Sequence, residues 1–525
     1  MNTVTERNPA DMFQVTRPGR VVMVVANRID GDSRVQKSAQ SMAEEGWEVH
    51  LVGLSVSRKP EHYRHGDVEY HKIPVLKMDP PKRLRERVAA LKYPLAYAVS
   101  ARAGFGMQRI KAERIELEAL ADERGRDGLL RMPRLVRRMG RKVQRVWIGR
   151  RIDQTKARDR YLEREDGFLD RVSRRWWTIL LGDRVWRRLD NDAVRIELAL
   201  RPEILRLEPD LLHAHDMYPI GFCARAAAAL HRQGRPVRLL YDAHEFVPGC
   251  DTLPPDRFES LVRYERRYLP YADAIVTVSA PLADLLREHH GLDRTPAVVL
   301  NAPLSADPSR PDPGDVRSAC ELGADTPLAV YSGWAAPERK IEMIIEAARH
   351  VPGLHVAFLV NRPDHPYVQS LIALGRAYGI EDRLHFRGYV DYADLPRFLS
   401  TATMGVHPMQ TGPINHEIAL PNKFFEYSHA HLPLVVSDVK TLSQEVRRLG
   451  NGEVFTSGDV GSLVTAIEKV IADPESYRAV YRDPTALAEY TWERQVHQYV
   501  ALYEALTGAA ATKEPAGALA DSLPA

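Results

Sequence analysis

Cysteine is scarce in this chain of 525 residues: Cys223, Cys250 and Cys320 are its complete set. Odd in number and scattered, they define neither a disulfide framework nor a zinc motif, and a reducing cytoplasm suits them. No apolar run of about 18 residues is available to span a bilayer, and residues 1–18 lack the apolar core of a signal peptide. The chain is therefore expected to be cytoplasmic, soluble or peripheral. Walker and G-x-G-x-x-G patterns are also missing, so no phosphate loop can be read from glycines. What remains is ordinary globular material, 44% hydrophobic and 27% charged, long enough for two or three domains. The net charge of +3 hides an asymmetry: from Lys82 to Leu200 there are 31 Lys/Arg against 17 Asp/Glu, which leaves the rest of the chain acidic.

Short apolar runs alternate with helical patterns. RVVMVVA, then SRVQKSAQSMAEEG with Val35, Ala39, Met42 and Ala43 at helical spacing, then EVHLVGL, make a βαβ opening. After VEYHKIPV the rhythm stops, and about 80–206 is helical, Arg-rich sequence that reads as an insertion. The alternation resumes with DLLHAHD, VRLLYDAHE, DAIVTVS and AVVLNAP. The Pro/Asp-rich stretch SADPSRPDPGD follows as a linker. A second series then runs LAVYSG, LHVAFLVN, RLHFRGYV, MGVHPM, PLVVSD and GEVFTSGD. The expected fold class is α/β, with two tandem Rossmann-like doubly wound domains facing a cleft and a basic α-helical insertion in the first. The expected boundaries are an N-terminal tail 1–18, a first Rossmann-like domain 19–308 with the insertion at about 80–206, a second Rossmann-like domain 309–490, a helix 491–508 returning to the first domain, and a disordered tail 509–525.

Ligands of doubly wound sheets bind beyond the carboxyl ends of strands, so the informative residues are those just after strands. In ANRIDGDSRVQK, Gly31 permits a tight turn, Asp32 or Ser33 can cap the helix, and Arg34 with Lys37 brings positive charge to its first turns. That suits a phosphate or sugar hydroxyls, and it equally suits a capped helix with solvated cations. HAHD (His213–Asp216) and YDAHE (Tyr241–Glu245) end at the mouth of the first sheet. Their His and acidic residues resemble a metal site, but the spacing matches no zinc motif, and hydrogen bonding to a polar substrate is the better functional reading. No metal is expected. In YSGWAAPERK the chain leaves a strand through Gly333 and enters a helix with Pro337 near its first turn. Arg339 and Lys340 follow, where a bound diphosphate or plain solvated charge would account for them. In HEIALPNKFFEYSHAHLPLVVSD a helix beginning at Pro421 would aim Asn422 and Lys423 at an anion. Glu426, one turn on, could hold a ribose diol, or pair with Lys423.

These segments resemble family 4 of the retaining, nucleotide-sugar-dependent glycosyltransferases, which have the GT-B fold. PNKFFEYSHAHLPLVVSD is similar to that family's nucleotide-binding segment, YSGWAAPERK to its diphosphate loop, GDSRVQKSAQSMAEEGWEV to its first helix, YDAHE to the strand end near the transferred sugar, and RLHFRGYV with DLPRFL to its base-side segment. The resemblance leaves out the insertion and the tail. It implies that Glu426 holds the ribose hydroxyls, that Arg339 takes the place of the diphosphate-binding lysine, and that His244 and Glu417 lie at the sugar and the reaction centre. It places Gly333, Lys340, Asn422 and Lys423 on the donor side, and Gly31, Asp32, Arg34, His215, Asp216 and Glu245 on the acceptor and sugar side. Three positions depart from the family pattern. Gly333 is followed by Trp334 instead of an Arg, one more residue than usual separates Glu417 from Glu426, and His431 replaces a turn glycine. The implied activity is hexosyl transfer with retention, from a UDP- or GDP-sugar to a glycan, lipid-linked or small-molecule acceptor, with no cofactor and no divalent metal. Asp190-Asn-Asp192 lies in the insertion, away from any strand end, and is set aside.

In the insertion, Met132, Val136, Met139, Val143 and Val146 fall at helical spacing among Arg and Lys, and RVSRRWWTILLGDRVWRR adds Trp176, Trp177 and Trp186 to six Arg residues. Such helices suit an anionic membrane surface, here through about 82–190 at the inner face of the plasma membrane, as cell-envelope polysaccharide biosynthesis would need. They equally suit an arginine-rich coat whose apolar stripe packs on the protein. No nucleic acid is expected as a partner, since no recognised module accompanies the charge. Two alternatives to the transferase stand: a catalytically impaired nucleotide-binding scaffold or peripheral membrane protein using the basic insertion, and a nucleotide-sugar epimerase on the same fold.

Overall fold

A computed structural model of the chain describes residues 19–75, 84–97, 131–163, 166–250, 253–305, 309–360 and 362–508, with Gln108 and Asp307 besides. The expected tails 1–18 and 509–525, and the side chains of Met132, Val136 and Met139, lie outside the described residues. The chain forms two compact units, a larger one of Met1–Leu76, Asp192–Leu253 and Leu261–Ala525, and a smaller one of Lys77–Asn191 with Pro254–Ser260.

The larger unit holds two sheets. The first contains β1 (Arg20–Val25), β2 (Glu48–Ser55), β3 (Glu61–His65), β4 (Val68–Pro74), β5 (Leu211–His215), β6 (Arg238–Ala243), β7 (Ala274–Thr277) and β8 (Ala297–Val298). Its order is β3-β4-β2-β1-β5-β6-β7-β8, parallel throughout except for the β3–β4 pair. The second contains β9 (Leu328–Ser332), β10 (His355–Leu359), β11 (Leu384–Arg387), β12 (Met404–His407), β13 (Leu434–Ser437) and β14 (Gly452–Phe455). Its order is β11-β10-β9-β12-β13-β14, all parallel. Central strands such as β1 and β9 are buried on both faces, which is why they read as continuous apolar runs. β3 escapes the sequence reading because EHYRH is polar on both faces and exposed over most of its length. In each sheet the strand order reverses at the first strand, β1 and β9, so the crevice for a ligand opens beyond Val25 and beyond Ser332.

The helix Trp492–Thr507 packs into the core of the first sheet. Trp492, Tyr499 and Tyr503 are fully or almost fully buried there against Val21, Met23 and Val35. Each polar tip finds a partner: Trp492 Nε1 donates to Ser41 Oγ at 2.9 Å, Tyr499 Oη to Asp242 Oδ2 at 2.6 Å, and Tyr503 Oη lies 2.8 Å from His213 Nδ1. Thr491 caps the helix start and Gly508, at φ +70°, ends it.

Two boundaries differ from expectation. From Asp192 onward the helix Asn191–Leu207 belongs to the larger unit, because Ile196, Leu200 and Ile204 are buried. After β9, Pro337–Arg339 is a single 3₁₀ turn and the helix proper runs Glu342–His350, so Arg339 and Lys340 stand ahead of the helix and not on its first turn. Lys340 takes a left-handed φ of +51°, which breaks the helix there.

Among its described residues the smaller unit is helical: Leu84–Lys92, Arg131–Glu163, Phe168–Leu181 and Trp186–Leu189. Several of its arginines are consumed internally. Arg85 pairs with Asp170 at 2.8 Å, Arg174 bridges Asp166 and Asp256 at 2.7 and 2.9 Å, and Arg151 donates to Leu95 O at 3.0 Å while lying 3.9 Å over the Tyr97 ring. Its long helix leaves Val143, Val146 and Trp147 exposed. On Phe168–Leu181 the residues Phe168, Val172, Trp176, Ile179 and Leu180, spaced to share one face, are 48–76% exposed.

Candidate active site

The end of the first sheet is organised around Asp242, the last-but-one residue of β6. Its carboxylate is fully buried and takes a two-pronged ion pair from Arg34, Nε to Oδ2 at 2.8 Å and Nη2 to Oδ1 at 2.9 Å. Arg34 Nη1 donates to Val299 O at 2.7 Å, and Tyr499 adds its hydroxyl to Oδ2. Arg34, expected on the sugar side, is therefore a buried brace, because Asp242 and the Val299 carbonyl hold its guanidinium inside the domain. Burial alone would raise Asp242, but Arg34 and His244 outweigh it and hold the carboxyl well below the usual range.

Three imidazoles surround this carboxylate: His215 Nδ1 at 3.3 Å, His244 Nε2 at 3.5 Å and His213 Nε2 at 3.9 Å from Oδ2. The pair His213 and His215 with Asp242 has the outline of a metal site. Arg34 already supplies the cation that this carboxylate needs. His244 is part-exposed; burial pushes it down, but the Asp242 charge prevails and raises it. Asp216, at a left-handed φ of +69°, is pushed up to about 6 by burial. Glu245 is exposed and accepts from Cys250 Sγ at 3.3 Å.

Beyond β1 the chain makes the tight turn its sequence implies. Gly31 adopts φ +81°, and Asp32 caps the helix Ser33–Glu44 through Val35 N. Asn27 Nδ2 donates to Asp32 at 2.7 Å and Lys72 Nζ to Asp30 at 2.6 Å. The same loop carries Ile29 at φ +68°, a strained value for a β-branched residue. A cavity of about 620 Å³ opens here, lined by Ala26–Arg28, Asp30–Ser33, Leu54, Asn301 and Asn422. Gly31 and Asp32 thus share one cavity wall with Asn422 of the second domain.

In the second domain Pro421 is the cap and the helix runs Asn422–His429. It sets Glu426 Oε2 3.2 Å from Ser332 Oγ, at the carboxyl end of β9, and holds Tyr427 Oη under Ser332 N at 3.0 Å. Lys423 reaches over the Tyr331 ring, its Nζ 5.0 Å from the centroid. Gly333 has φ +111°, and a Cβ there would stand 3.0 Å from that ammonium. Burial lowers Lys423 to about 8, and burial raises Glu426. Arg339 is half-buried and near enough to Lys423 to lower it further.

Glu417, expected at the sugar, is a loop clamp. Its Oε1 accepts from Gly412 N at 2.9 Å and its Oε2 from Lys440 N at 2.8 Å, the latter capping the helix Lys440–Leu449. The extra residue between the two glutamates leaves the first in a separate short helix, Ile414–Glu417, where its carboxylate serves backbone donors. His431, in place of a turn glycine, adopts the left-handed φ of +56° and stacks on Tyr481 at 5.1 Å.

Polar links join the two strand-end regions. Asn415 accepts from Phe246 N at 2.9 Å and donates to Phe246 O at 3.0 Å, Ser279 Oγ donates to Ile418 O at 3.1 Å, and Asn301 Nδ2 to Asn422 Oδ1 at 2.9 Å. Three residues outside the expected donor-side and acceptor-side sets stand here. Lys37 is buried, donates to Ala302 O, lies 4.6 Å over the Trp492 ring and is lowered to about 7 by burial. Ser332 contacts Glu426. His407, at the end of β12, is buried with both ring nitrogens unpartnered. Their common signal is a polar residue ending an apolar strand, or one helical turn past a cap.

A family model described as Glycosyl transferases group 1 matches residues 317–483, and one described as Glycosyltransferase Family 4 matches residues 132–304. The second match begins within the helical insertion, which the resemblance was expected to leave out, and excludes β1 to β4. Sucrose-phosphate synthase from Thermosynechococcus elongatus is similar in structure, with a TM-score of 0.60 at 14% identity over 93% of this chain and 99% of that one. The alpha-D-kanosaminyltransferase of Streptomyces kanamyceticus is 24% identical over 185 residues, 34% of this chain and 46% of the relative. This chain therefore spans about half the length of that relative. A GDP-mannose-dependent alpha-(1-6)-phosphatidylinositol monomannoside mannosyltransferase from Mycolicibacterium smegmatis is 24% identical over 284 residues, 51% of this chain and 71% of the relative. Two tandem Rossmann-like sheets with these matches define a GT-B protein. The chain belongs to the glycosyltransferases of the family 4 type.

The buried ion pair sets a test. Replacing Arg34 by Met leaves Asp242 buried without its cation and should cost about 3–5 kcal/mol in urea unfolding. Asp242 is held low in the fold, so its contribution is present above the unfolded carboxyl value of about 3.9 and is lost as pH falls through the folded value. The Arg34→Met variant should therefore show a flatter loss of stability toward acid than the parent, and an equal slope would refute the assignment.

Proposed function

We propose that the chain transfers a hexosyl group from a UDP- or GDP-sugar to an acceptor hydroxyl, with retention of configuration and without a divalent metal. The observation that carries this reading is the convergence of Glu426, Ser332, Lys423 and Gly333 at the end of β9. One carboxylate there can accept both donors of a ribose diol. Beside it an ammonium, lowered by burial and with a ring face for its neighbour, is suited to an anion. Gly333 keeps the backbone open for close approach of a diphosphate. Arg339 and Lys340 supply further positive charge where an Arg after Gly333 would have stood.

In the reaction, the bond between the anomeric carbon and the diphosphate oxygen breaks. The acceptor oxygen bonds to that carbon on the same face, and its proton passes to the departing diphosphate. Lys423 and Arg339 stabilise the negative charge that grows there, and positioning supplies most of the rest. His244, anchored to Asp242, is assigned to the sugar hydroxyls and reaction centre, with His215 behind it and Asp216 and Glu245 at the rim. Glu417 shapes the loop that leads to Asn422. The acceptor is a glycan or lipid-linked sugar, entering the cavity by Gly31 and Asp32, whose lining of Asn27, Asp30, Asp32 and Asn301 offers hydrogen bonds to hydroxyls. The phosphatidylinositol mannoside in the name of one relative fits an envelope acceptor of this kind.

For the membrane part, the exposed stripe of Phe168, Val172, Trp176 and Ile179 beside Arg171 and Arg175 suits an anionic lipid surface at the cytoplasmic face. Among the described residues no helix is long and apolar enough to cross a membrane.

Thermal unfolding with UDP, GDP and ADP tests the donor site. The preferred nucleotide at about 100 times its dissociation constant should add about 2.7 kcal/mol. Glu426→Ala should lose that preference while its unliganded midpoint moves little, and an undiminished shift would remove the ribose role. Sedimentation with liposomes tests the membrane part: vesicles carrying anionic lipid should pull the protein down, neutral vesicles should not, and Trp176→Glu with Ile179→Glu should abolish the effect. Binding indifferent to lipid charge would contradict it.

A further inference from the structure

The outer part of the first sheet carries a second cluster of imidazoles and carboxylates, outside the site above. Register places it there: His50 on β2 pairs with Glu69 on β4, and His62 on β3 pairs with His71 on β4. His50, Glu69, His71 and His62 therefore share one face of the sheet. The helix Asn191–Leu207 adds Glu203.

The two buried rings, His50 and His71, are arranged alike. His50 Nε2 lies 3.1 Å from Glu48 Oε1, and His71 Nδ1 lies 2.8 Å from Glu203 Oε1. Each carboxylate is itself fixed by an arginine, Glu48 by Arg20 Nε at 2.8 Å and Glu203 by Arg206 Nη2 at 2.6 Å. When each neutral ring gives its single N–H to its carboxylate, the remaining nitrogens, His50 Nδ1 and His71 Nε2, turn their lone pairs toward each other at 3.0 Å. Glu69 Oε2 joins them, 3.3 Å from His50 Nδ1 and 3.9 Å from His71 Nε2. Three lone pairs converging on one point suit a cation. The atoms of a tetrahedral zinc site, about 2.0–2.2 Å from the metal, stand about 3.4 Å apart, and the three separations here bracket that value.

We propose that His50 Nδ1, His71 Nε2 and Glu69 Oε2 bind one divalent transition-metal ion of the zinc class, with water at the fourth position. Glu48 and Glu203 orient the two rings, the role that carboxylates behind metal-bound histidines serve. Imidazole ligands favour zinc, cobalt, nickel or copper over magnesium or calcium. The site's consequence is mechanical: the ion ties β2 to β4, and through His71 and Glu203 it fastens the sheet edge to the helix Asn191–Leu207. His62 is the outer neighbour, its Nδ1 2.9 Å from His71 Nδ1 and 3.8 Å from Glu203 Oε1, and the proposal leaves it uncoordinated.

The test uses the full chain, stripped with a chelator and titrated with cobalt(II), then with zinc. One cobalt per chain should bind, with the visible absorption of tetrahedral cobalt. Zinc should displace it and raise the unfolding temperature. His50→Gln and His71→Gln, each checked for unchanged far-ultraviolet circular dichroism, should weaken binding at least about 100-fold, and Glu48→Gln about 10- to 100-fold. His62→Ala should keep the stoichiometry and spectrum. A parent chain that binds no cobalt or zinc overturns the proposal, as does binding that survives in the His50→Gln chain and vanishes in His62→Ala.

Discussion

The arrangement of the first domain depends on one buried ion pair. Arg34 comes from the first helix, Asp242 from the end of β6, Val299 from the segment after β8 and Tyr499 from the C-terminal helix, and all four meet within hydrogen-bond distance. Charges this deep are tolerated when every prong and lone pair has a partner, and they are costly when one is removed. The pair therefore fixes which helix lies over which strand end, and with it the place of His215 and His244. The C-terminal helix is part of that arrangement: its Trp492, Tyr499 and Tyr503 close the core from the far end of the chain.

The two strand-end regions meet differently. The apolar clusters behind them are separate, and the described links at the site are single polar side chains such as Asn415, Ser279 and Asn301. Links of that kind can exchange partners with a polar ligand at small cost, because each lost hydrogen bond is replaced by another. A buried salt bridge offers no such exchange. Rigid bracing on one side and exchangeable links between the loops suit a site that must hold one substrate while admitting another.

Much of this was legible in the chain itself, for identifiable reasons. Parallel strands buried on both faces announce themselves as apolar runs, so β1, β2 and β9 were readable at their bounds. β3 was not, since an edge strand with polar residues on both faces has no period to detect. PNKFFEY was readable because a proline before a helix and a carboxylate one turn on are local features. Arg34 and Glu417 carried no sign in the sequence of what they would meet. Their partners, Asp242 and the amides of Gly412 and Lys440, lie 208, 5 and 23 residues away, and sequence spacing does not say which of several polar neighbours a side chain will meet. His407 was missed because a single polar residue at a strand end looks the same whether it faces a core or a ligand, and Lys37 was read as a charge on the first turns of its helix with no sign of its burial. The His50–Glu69–His71 cluster depends on strand register and is invisible to motif spacing.

The central claim is that the face formed by Ser332, Gly333, Lys423 and Glu426 holds a nucleoside diphosphate sugar for transfer. Release of nucleoside diphosphate, measured across a panel of UDP-, GDP- and ADP-sugars with and without glycan acceptors, tests it most directly. The account predicts release from one donor that rises with acceptor and is lost in Lys423→Ala. Absence of release from every donor, although a nucleotide binds, would contradict it and leave a nucleotide-binding scaffold.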